Sequence, residues 1–448
     1  MPVAASQPVI CIPADGLANA SLSASQRRWA EANGFSGQRG RLLALPEADG
    51  GLGGYVFGLG AGEGRPALVT GLAAAALEPG HYRLEGDLGD KTLAALGFKL
   101  GAYRFDRYRK ARAPVTLATL DGADAAEVTR LTDAAFLARD LVNTPTSDLG
   151  PDAYEREIRA FAARHGATVS SIVGDDLLAK NFPMIHAVGR ASDQAPRLID
   201  IAWGNPSYPK VTLVGKGVTF DTGGLDIKPS SSMLLMKKDM GGSANVLGLA
   251  HAIMDAGLKV RLRVLIAVVE NAISANAFRP GDVLPSRAGI TVEIGNTDAE
   301  GRLILGDALA LADEENPDIL IDMATLTGAA RVALGPELPP LYSTNADFAQ
   351  ALTAEGARTD DPLWPMPLWA PYDDMLKSRI ADINNAPAGG FAGSVTAALF
   401  LKRFVKNAGT WVHLDIFAWA PEARAGRPFG GTDQGIRSVY GVLKKKFG

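Results

Sequence analysis

Val214-Gly-Lys-Gly-Val-Thr-Phe-Asp-Thr-Gly-Gly-Leu-Asp-Ile-Lys228 runs directly out of the apolar, strand-like segment 211–214. A short apolar run that ends in glycines and carboxylates reads as a buried strand delivering polar groups to one end of a sheet. Working outward, residues 198–203 and 260–269 are also strand-like, and 244–256 reads as a helix. Further on, strand-like 290–294, a helix near 305–314, strand-like 319–323, a helix near 395–405 and strand-like 411–416 continue the alternation. That order predicts an α/β fold with a mixed sheet sandwiched by helices.

At 448 residues the chain exceeds a comfortable single core, so two domains are expected. Residues 1–122 read as a smaller N-terminal α/β domain of short apolar runs and Gly-rich turns. Residues 123–145 read as a helical linker, because Val128, Leu131, Ala135, Leu137 and Leu141 recur near helical spacing before Asn143-Thr-Pro-Thr ends the segment. Residues 146–448 form the expected catalytic domain. A hydrophobic fraction of 47% with 21% charged residues is that of a globular protein, and a net charge of −4 leaves no basic footprint, so nucleic acid is not an expected partner. Residues 1–16 lack a secretory pattern, and runs such as 264–269 are far too short to span a bilayer, so no membrane partner is expected. Cys11 is the single cysteine, which rules out an intrachain disulfide or a thiolate metal cluster. A cytoplasmic location is the expectation.

Two further clusters accompany the first: Met236-Lys-Lys-Asp-Met-Gly-Gly242 and Asn296-Thr-Asp-Ala-Glu-Gly-Arg-Leu303. Open α/β sheets bind ligands outside the carboxyl ends of their strands, where these clusters are expected to lie. Taken singly, an Asp after a strand reads as a turn or cap residue, and Lys216 or Lys228 as a surface residue. Taken together, Asp298 and Glu300, two residues apart, share one face of an extended segment and can address the same ion, with Asp221 and Asp239 as an opposite wall. Oxygen ligands in that number suit divalent cations, and a lysine nitrogen shifts the preference towards Mn or Zn. Neither a phosphate-binding loop nor a serine nucleophile elbow fits. Lys210 occupies the place of the first loop glycine and Gly217 that of the Ser or Thr, while Asn245 replaces the last glycine of an elbow around Ser243, which reads as a helix-start residue. The five histidines show neither His-Glu-x-x-His nor close pairing, and His413, on a strand-like run, is a candidate supporting residue.

Together the three clusters resemble the leucine aminopeptidase family, also called cytosol aminopeptidases, whose hallmark octapeptide is intact at 296–303. The resemblance runs from about Arg139 to Tyr440 and takes in Glu270-Asn271, Arg279-Pro-Gly-Asp282, Ala324-Thr-Leu-Thr-Gly328, Ala381-Asp382 and His413-Leu-Asp-Ile416. For the N-terminal domain it rests on position and size. The resemblance implies two divalent metal ions, Mn or Zn. Lys216, Asp221, Asp239 and Glu300 hold the tighter one, while Asp221, Asp298 and Glu300 hold the exchangeable one. It implies a peptide substrate with a free N-terminus, attacked by a metal-activated hydroxide. Lys228 is the expected oxyanion stabiliser, and Arg302 the residue that holds a bicarbonate base. Lys216 must be neutral to coordinate. Met236, Thr325 and Gly328 match the family's specificity pocket, which Phe417 would shrink or reshape. A homohexamer is implied as well. A dinuclear phosphoester hydrolase and a DNA-associated accessory protein are the alternatives.

Overall fold

The computed structural model describes residues 6–387 and 389–448. The chain forms two compact units: residues up to Phe136 with Arg358–Asp360 and Ala420–Gly430, and Leu137–Ala357 with Asp361–Trp419 and Gly431–Gly448. The boundary falls inside the helix Ala125–Asn143. The first unit carries a five-stranded sheet in the order Leu42–Pro46, Leu52–Gly60, Gln7–Pro13, Gly80–Gly86, Val115–Leu117. Its central strand is parallel to both neighbours, and only Leu42–Pro46 runs antiparallel. Helix starts there follow local capping chemistry: Ser23 and Gln26 form a reciprocal capping box, and Asp90 accepts the Leu93 N–H at 3.0 Å.

The second unit is built on an eight-stranded mixed sheet. From edge to edge the strands are Trp364–Pro365, Pro340–Ser343, Thr410–Asp415, Ile319–Ala324, Lys210–Asp221, Arg261–Asn271, Arg197–Trp203 and Thr168–Val173. The four central strands, from Thr410–Asp415 to Arg261–Asn271, are mutually parallel, so their carboxyl ends share one edge. That edge brings Asp415, Asp221 and Asn271 together, with Thr325 just past the end of its strand.

Adjacent residues of one strand show the helix sandwich directly, because successive side chains point to opposite faces. A Cβ on Gly215 would lie 2.5 Å from Ser243 Cα in the helix Gly241–Asp255. The next side chain, Lys216, lies instead against Gly301 of the helix Glu300–Asp313. Close backbone approach therefore demands glycine on one face, while the other admits a lysine.

Two local expectations change. The Lys210–Asp221 strand is 12 residues long, so Lys216 and Asp221 are strand residues rather than members of a following loop. Asp298 and Glu300 are not on an extended segment. Asp298 sits in a turn whose N–H is taken by the Asn296 side chain at 2.7 Å, and Glu300 opens the helix Glu300–Asp313. The polar side chain of Asn296 competes for the backbone there and prevents strand pairing.

Candidate active site

Each of the three clusters enters the site from a different element. Lys216 points from mid-strand, Asp221 ends the same strand, and the loop that follows carries Lys228. Gly223 and Gly224 turn this loop with φ of +90° and +65°, backbone that side chains rarely adopt. The loop is locked to the third cluster by a reciprocal pair: Thr297 N–H donates to Asp226 Oδ2 at 2.7 Å, and Asp226 N–H donates to Thr297 Oγ1 at 2.9 Å. Asn385 holds the other side of that turn, accepting from Gly295 N–H at 2.8 Å and donating to Asn296 O at 2.7 Å. Asp239 lies in the 3₁₀ turn Met236–Met240 that leads into the helix Gly241–Asp255, where Ser243 Oγ donates to Met240 O at 2.8 Å. Ser243 is thus a helix-start residue, as the sequence predicts.

These side chains converge. One carboxylate oxygen each from Asp221, Asp298 and Glu300 lie within 4.8 Å of one another. Lys216 Nζ is 2.7 Å from Asp239 Oδ2, 3.0 Å from Glu300 Oε1, and donates to Thr325 O at 3.1 Å. Lys228 Nζ is 2.8 Å from Asp221 Oδ2 and also pairs with Asp298. Asn271 Nδ2 donates to Asp221 Oδ1 at 2.8 Å, and Thr325 Oγ1 donates to Asp239 Oδ1 at 2.8 Å. Asn271 was not singled out for a role in the sequence, although it ends an apolar strand. Thr325, matched to substrate binding, also orients a carboxylate.

The charges are strained by burial. Desolvation, then repulsion from Asp221, pushes the Glu300 carboxyl up to about 8, and the same two causes push Asp298 up to about 6. Desolvation would depress the Lys216 ammonium, but Asp239, Glu300 and Asp221 outweigh it and hold it above the usual lysine value. Coordination by Lys216 therefore means giving up a proton that the protein's own carboxylates stabilise. Among the described residues, Oε2 of Glu300 is buried with no donor at all, while Glu300 Oε1, Asp239 Oδ2 and Asp298 Oδ1 are met only by lysine ammonium groups. Buried carboxylates of this kind are costly unless paired or bound to a cation. The donor set, carboxylate oxygens plus one amine, fits divalent cations of the Mn or Zn type.

A cavity of about 330 Å³ opens onto the carboxylates. Met236, Thr325, Gly328 and Arg302 line it, and so do Lys238 and Arg331. Arg302 is buried, with its Nη1 donating to Asn385 O and its Nε left without a partner among the described residues. Among the described residues it makes no ion pair with a carboxylate; desolvation lowers its pKa to about 10, with Glu300 and Asp415 opposing. Phe417 does not line the cavity. Its ring lies behind two cations that do, with the Arg331 guanidinium carbon 4.6 Å and Lys238 Nζ 5.6 Å from the ring centroid. His413 pairs through Nδ1 with Asp322 at 2.5 Å. His165 and His251, distant in sequence, meet at 3.1 Å.

A family model described as the cytosol aminopeptidase family, catalytic domain, matches residues 136–440, and one for the M17 aminopeptidase N-terminal domain matches residues 13–121. The chain belongs to the cytosol aminopeptidase family. Members are metallo-exopeptidases, and this one is accordingly a hydrolase of that class. It is 38% identical over 442 residues to a probable cytosol aminopeptidase of Corynebacterium efficiens, an alignment covering 93% of this chain and 87% of the relative. A crystal structure of the cytosol aminopeptidase from Coxiella burnetii superposes with a TM-score of 0.93 at 44% identity, covering 100% of this chain and 99% of that one. The bottromycin maturation enzyme BotP, solved in complex with Mn, superposes with a TM-score of 0.90 at 34% identity, covering 99% and 100%. Both superpositions cover both units of this chain. No helix among the described residues is long and apolar enough to cross a membrane.

Proposed function

We propose that this chain is a dinuclear aminopeptidase that releases the N-terminal residue of peptides with a free N-terminus. The observation that carries the reading is the convergence of Asp221, Asp298 and Glu300 within 4.8 Å, beside Asp239 and Lys216, with buried oxygens that meet only lysine ammonium groups or, for Glu300 Oε2, no donor. Lys216, Asp221, Asp239 and Glu300 would hold one cation, and Asp221, Asp298 and Glu300 the other. Two divalent cations, bound there, supply Lewis acidity and a water acidic enough to ionise near neutral pH.

The chain's own residues do the rest. Asn271 and Thr325 fix the orientation of Asp221 and Asp239, so the carboxylates do not rotate away from the shared site. Lys228 presents its ammonium at the mouth of the same cluster and stabilises the oxyanion that develops at the scissile carbonyl. Arg302 has no acceptor capacity, so its part is to hold the anion that takes up the proton. Its unpartnered Nε–H in the cavity wall supports that role, and resemblance makes the anion bicarbonate. Met236, Thr325 and Gly328 would receive the N-terminal side chain, with Phe417 shaping the wall through the cations stacked on it. A cytoplasmic location and a homohexamer complete the reading; size-exclusion chromatography with light scattering checks the second.

Substitution tests the assignments. Asp239→Ala and Glu300→Ala abolish hydrolysis of leucyl amides with loss of bound metal, whereas Lys228→Ala keeps its metal and loses rate. Equal metal loss in all three would remove Lys228 from the chemistry.

A further inference from the structure

Gly328 and Arg331 stand three residues apart in the helix Gly328–Leu334, so they share one face, and both line the cavity. A Cβ built on Gly328 would lie 3.6 Å from Arg331 Nη2, which places the guanidinium edge directly beside the glycine of the side-chain pocket. Its guanidinium carbon lies over the Phe417 ring, an apolar neighbour that offers its N–H groups no carboxylate or carbonyl. The backbone that carries this ring is tied down, since Gln434 Oε1 accepts the N–H groups of Phe417 and Ala418 at 2.9 and 2.8 Å. Among the described residues, no carboxylate or carbonyl takes a hydrogen bond or ion pair from Arg331. Every other cationic side chain lining this cavity except Arg302 has a carboxylate partner: Lys216 and Lys238 pair with Asp239, and Lys228 with Asp221. The Met236–Thr325–Gly328 side of the cavity therefore carries one uncompensated positive charge, held rigidly and equipped to meet a carboxylate in bidentate fashion.

We infer that Arg331 selects peptides whose N-terminal residue is acidic, its guanidinium pairing with the side-chain carboxylate of Glu or Asp. The inference rests on the aminopeptidase reading above. An N-terminal side chain entering beside Gly328 meets the Arg331 edge, and a carboxylate there replaces water on a cation that already lacks a protein partner. A basic N-terminal residue meets repulsion from Arg331 and Lys238 in the same place.

The test compares kcat/KM for aminomethylcoumarin amides of Glu, Gln, Asp and Leu, using the metal-loaded full chain and its Arg331→Met and Arg331→Lys variants. Glu and Gln differ in charge and hardly in size, and these amides carry no other carboxylate. Wild type should favour Glu over Gln by on the order of tenfold to a hundredfold, as a charged hydrogen-bonded pair does. Arg331→Met should collapse that ratio towards one, Arg331→Lys should restore part of it, and added salt should reduce it. Cleavage of leucyl and glutaminyl amides with no preference for Glu overturns this inference and leaves the aminopeptidase reading in place. Equal loss for Glu and Gln in Arg331→Met also overturns it, since the residue would then only brace Phe417. No cleavage of any amide would instead overturn both readings together.

Discussion

Replacing Gly301 with alanine isolates the placement of Lys216 from the stability of the helix that carries it. A Cβ at position 301 would stand 2.6 Å from Lys216 Cε and 2.7 Å from Nζ. Carbon atoms in contact settle near 3.5–4.0 Å, so the lysine head must move by about 1 Å. It is buried and tied to Asp239 at 2.7 Å and Glu300 at 3.0 Å, so that movement lengthens and misaligns both pairs. Overpacking of this kind costs about 1–3 kcal/mol, while alanine in a helix interior recovers about 1 kcal/mol over glycine. Folding stability should consequently change by no more than about 2 kcal/mol, visible as a few degrees in a thermal melt. Catalysis should suffer far more, because misplacing a reacting group by about 1 Å costs about 100-fold in rate. The assay pairs leucyl-amide kcat/KM with metal content by elemental analysis and with the melt. A Gly301→Ala enzyme with wild-type kcat/KM and full metal content would refute the placement of Lys216 as a ligand.

Proton linkage gives a second prediction. Glu300 and Asp298 carry raised pKa values of about 8 and about 6, so cation binding near pH 7 must displace protons, and affinity for Mn or Zn should rise with pH across that range. Calorimetric titration in buffers of differing ionisation enthalpy measures the released protons; none released would contradict it. The same raised pKa stabilises the chelator-treated protein fully below the unfolded value near 4.5, and this is lost as pH rises through about 8. Melting temperatures of the treated protein should therefore fall over that window, with added metal removing the slope. Arg302→Ala should slow turnover by about 100-fold, the usual scale of general-base catalysis, with partial rescue by bicarbonate. Insensitivity of both forms to bicarbonate would count against that base. Asn271→Leu should lower metal affinity by about 10–100-fold, the scale of losing a residue that orients a ligand; unchanged affinity would show that Asp221 needs no such support.

The alternation of apolar runs was enough to place the sheet and its helices, because fully buried parallel strands leave a readable signature. The extent of the Lys210–Asp221 strand was not readable. Gly215 and Lys216 look unlike strand residues, and only the close approach of Ser243 on one face and Gly301 on the other explains them. The octapeptide pointed to Asp298 and Glu300 as a pair, and their side chains do converge, but their geometry was not readable. A turn closed by Asn296, followed by a helix start, brings the two carboxylates together as well as an extended segment would. Lys238 and Arg331 were passed over because an isolated cation reads as surface, although Arg331 stands one helical turn beyond Gly328. Nothing local in sequence announces that His165 meets His251, 86 positions away.

The most direct test strips the protein with a chelator and follows hydrolysis of leucyl-aminomethylcoumarin and its N-acetyl counterpart before and after adding Mn or Zn. Activity that returns with metal, on the free-amine substrate alone, is the predicted result. Full activity without metal, or equal cleavage of the N-acetyl substrate, would contradict a dinuclear aminopeptidase built on Lys216, Asp221, Asp239, Asp298 and Glu300.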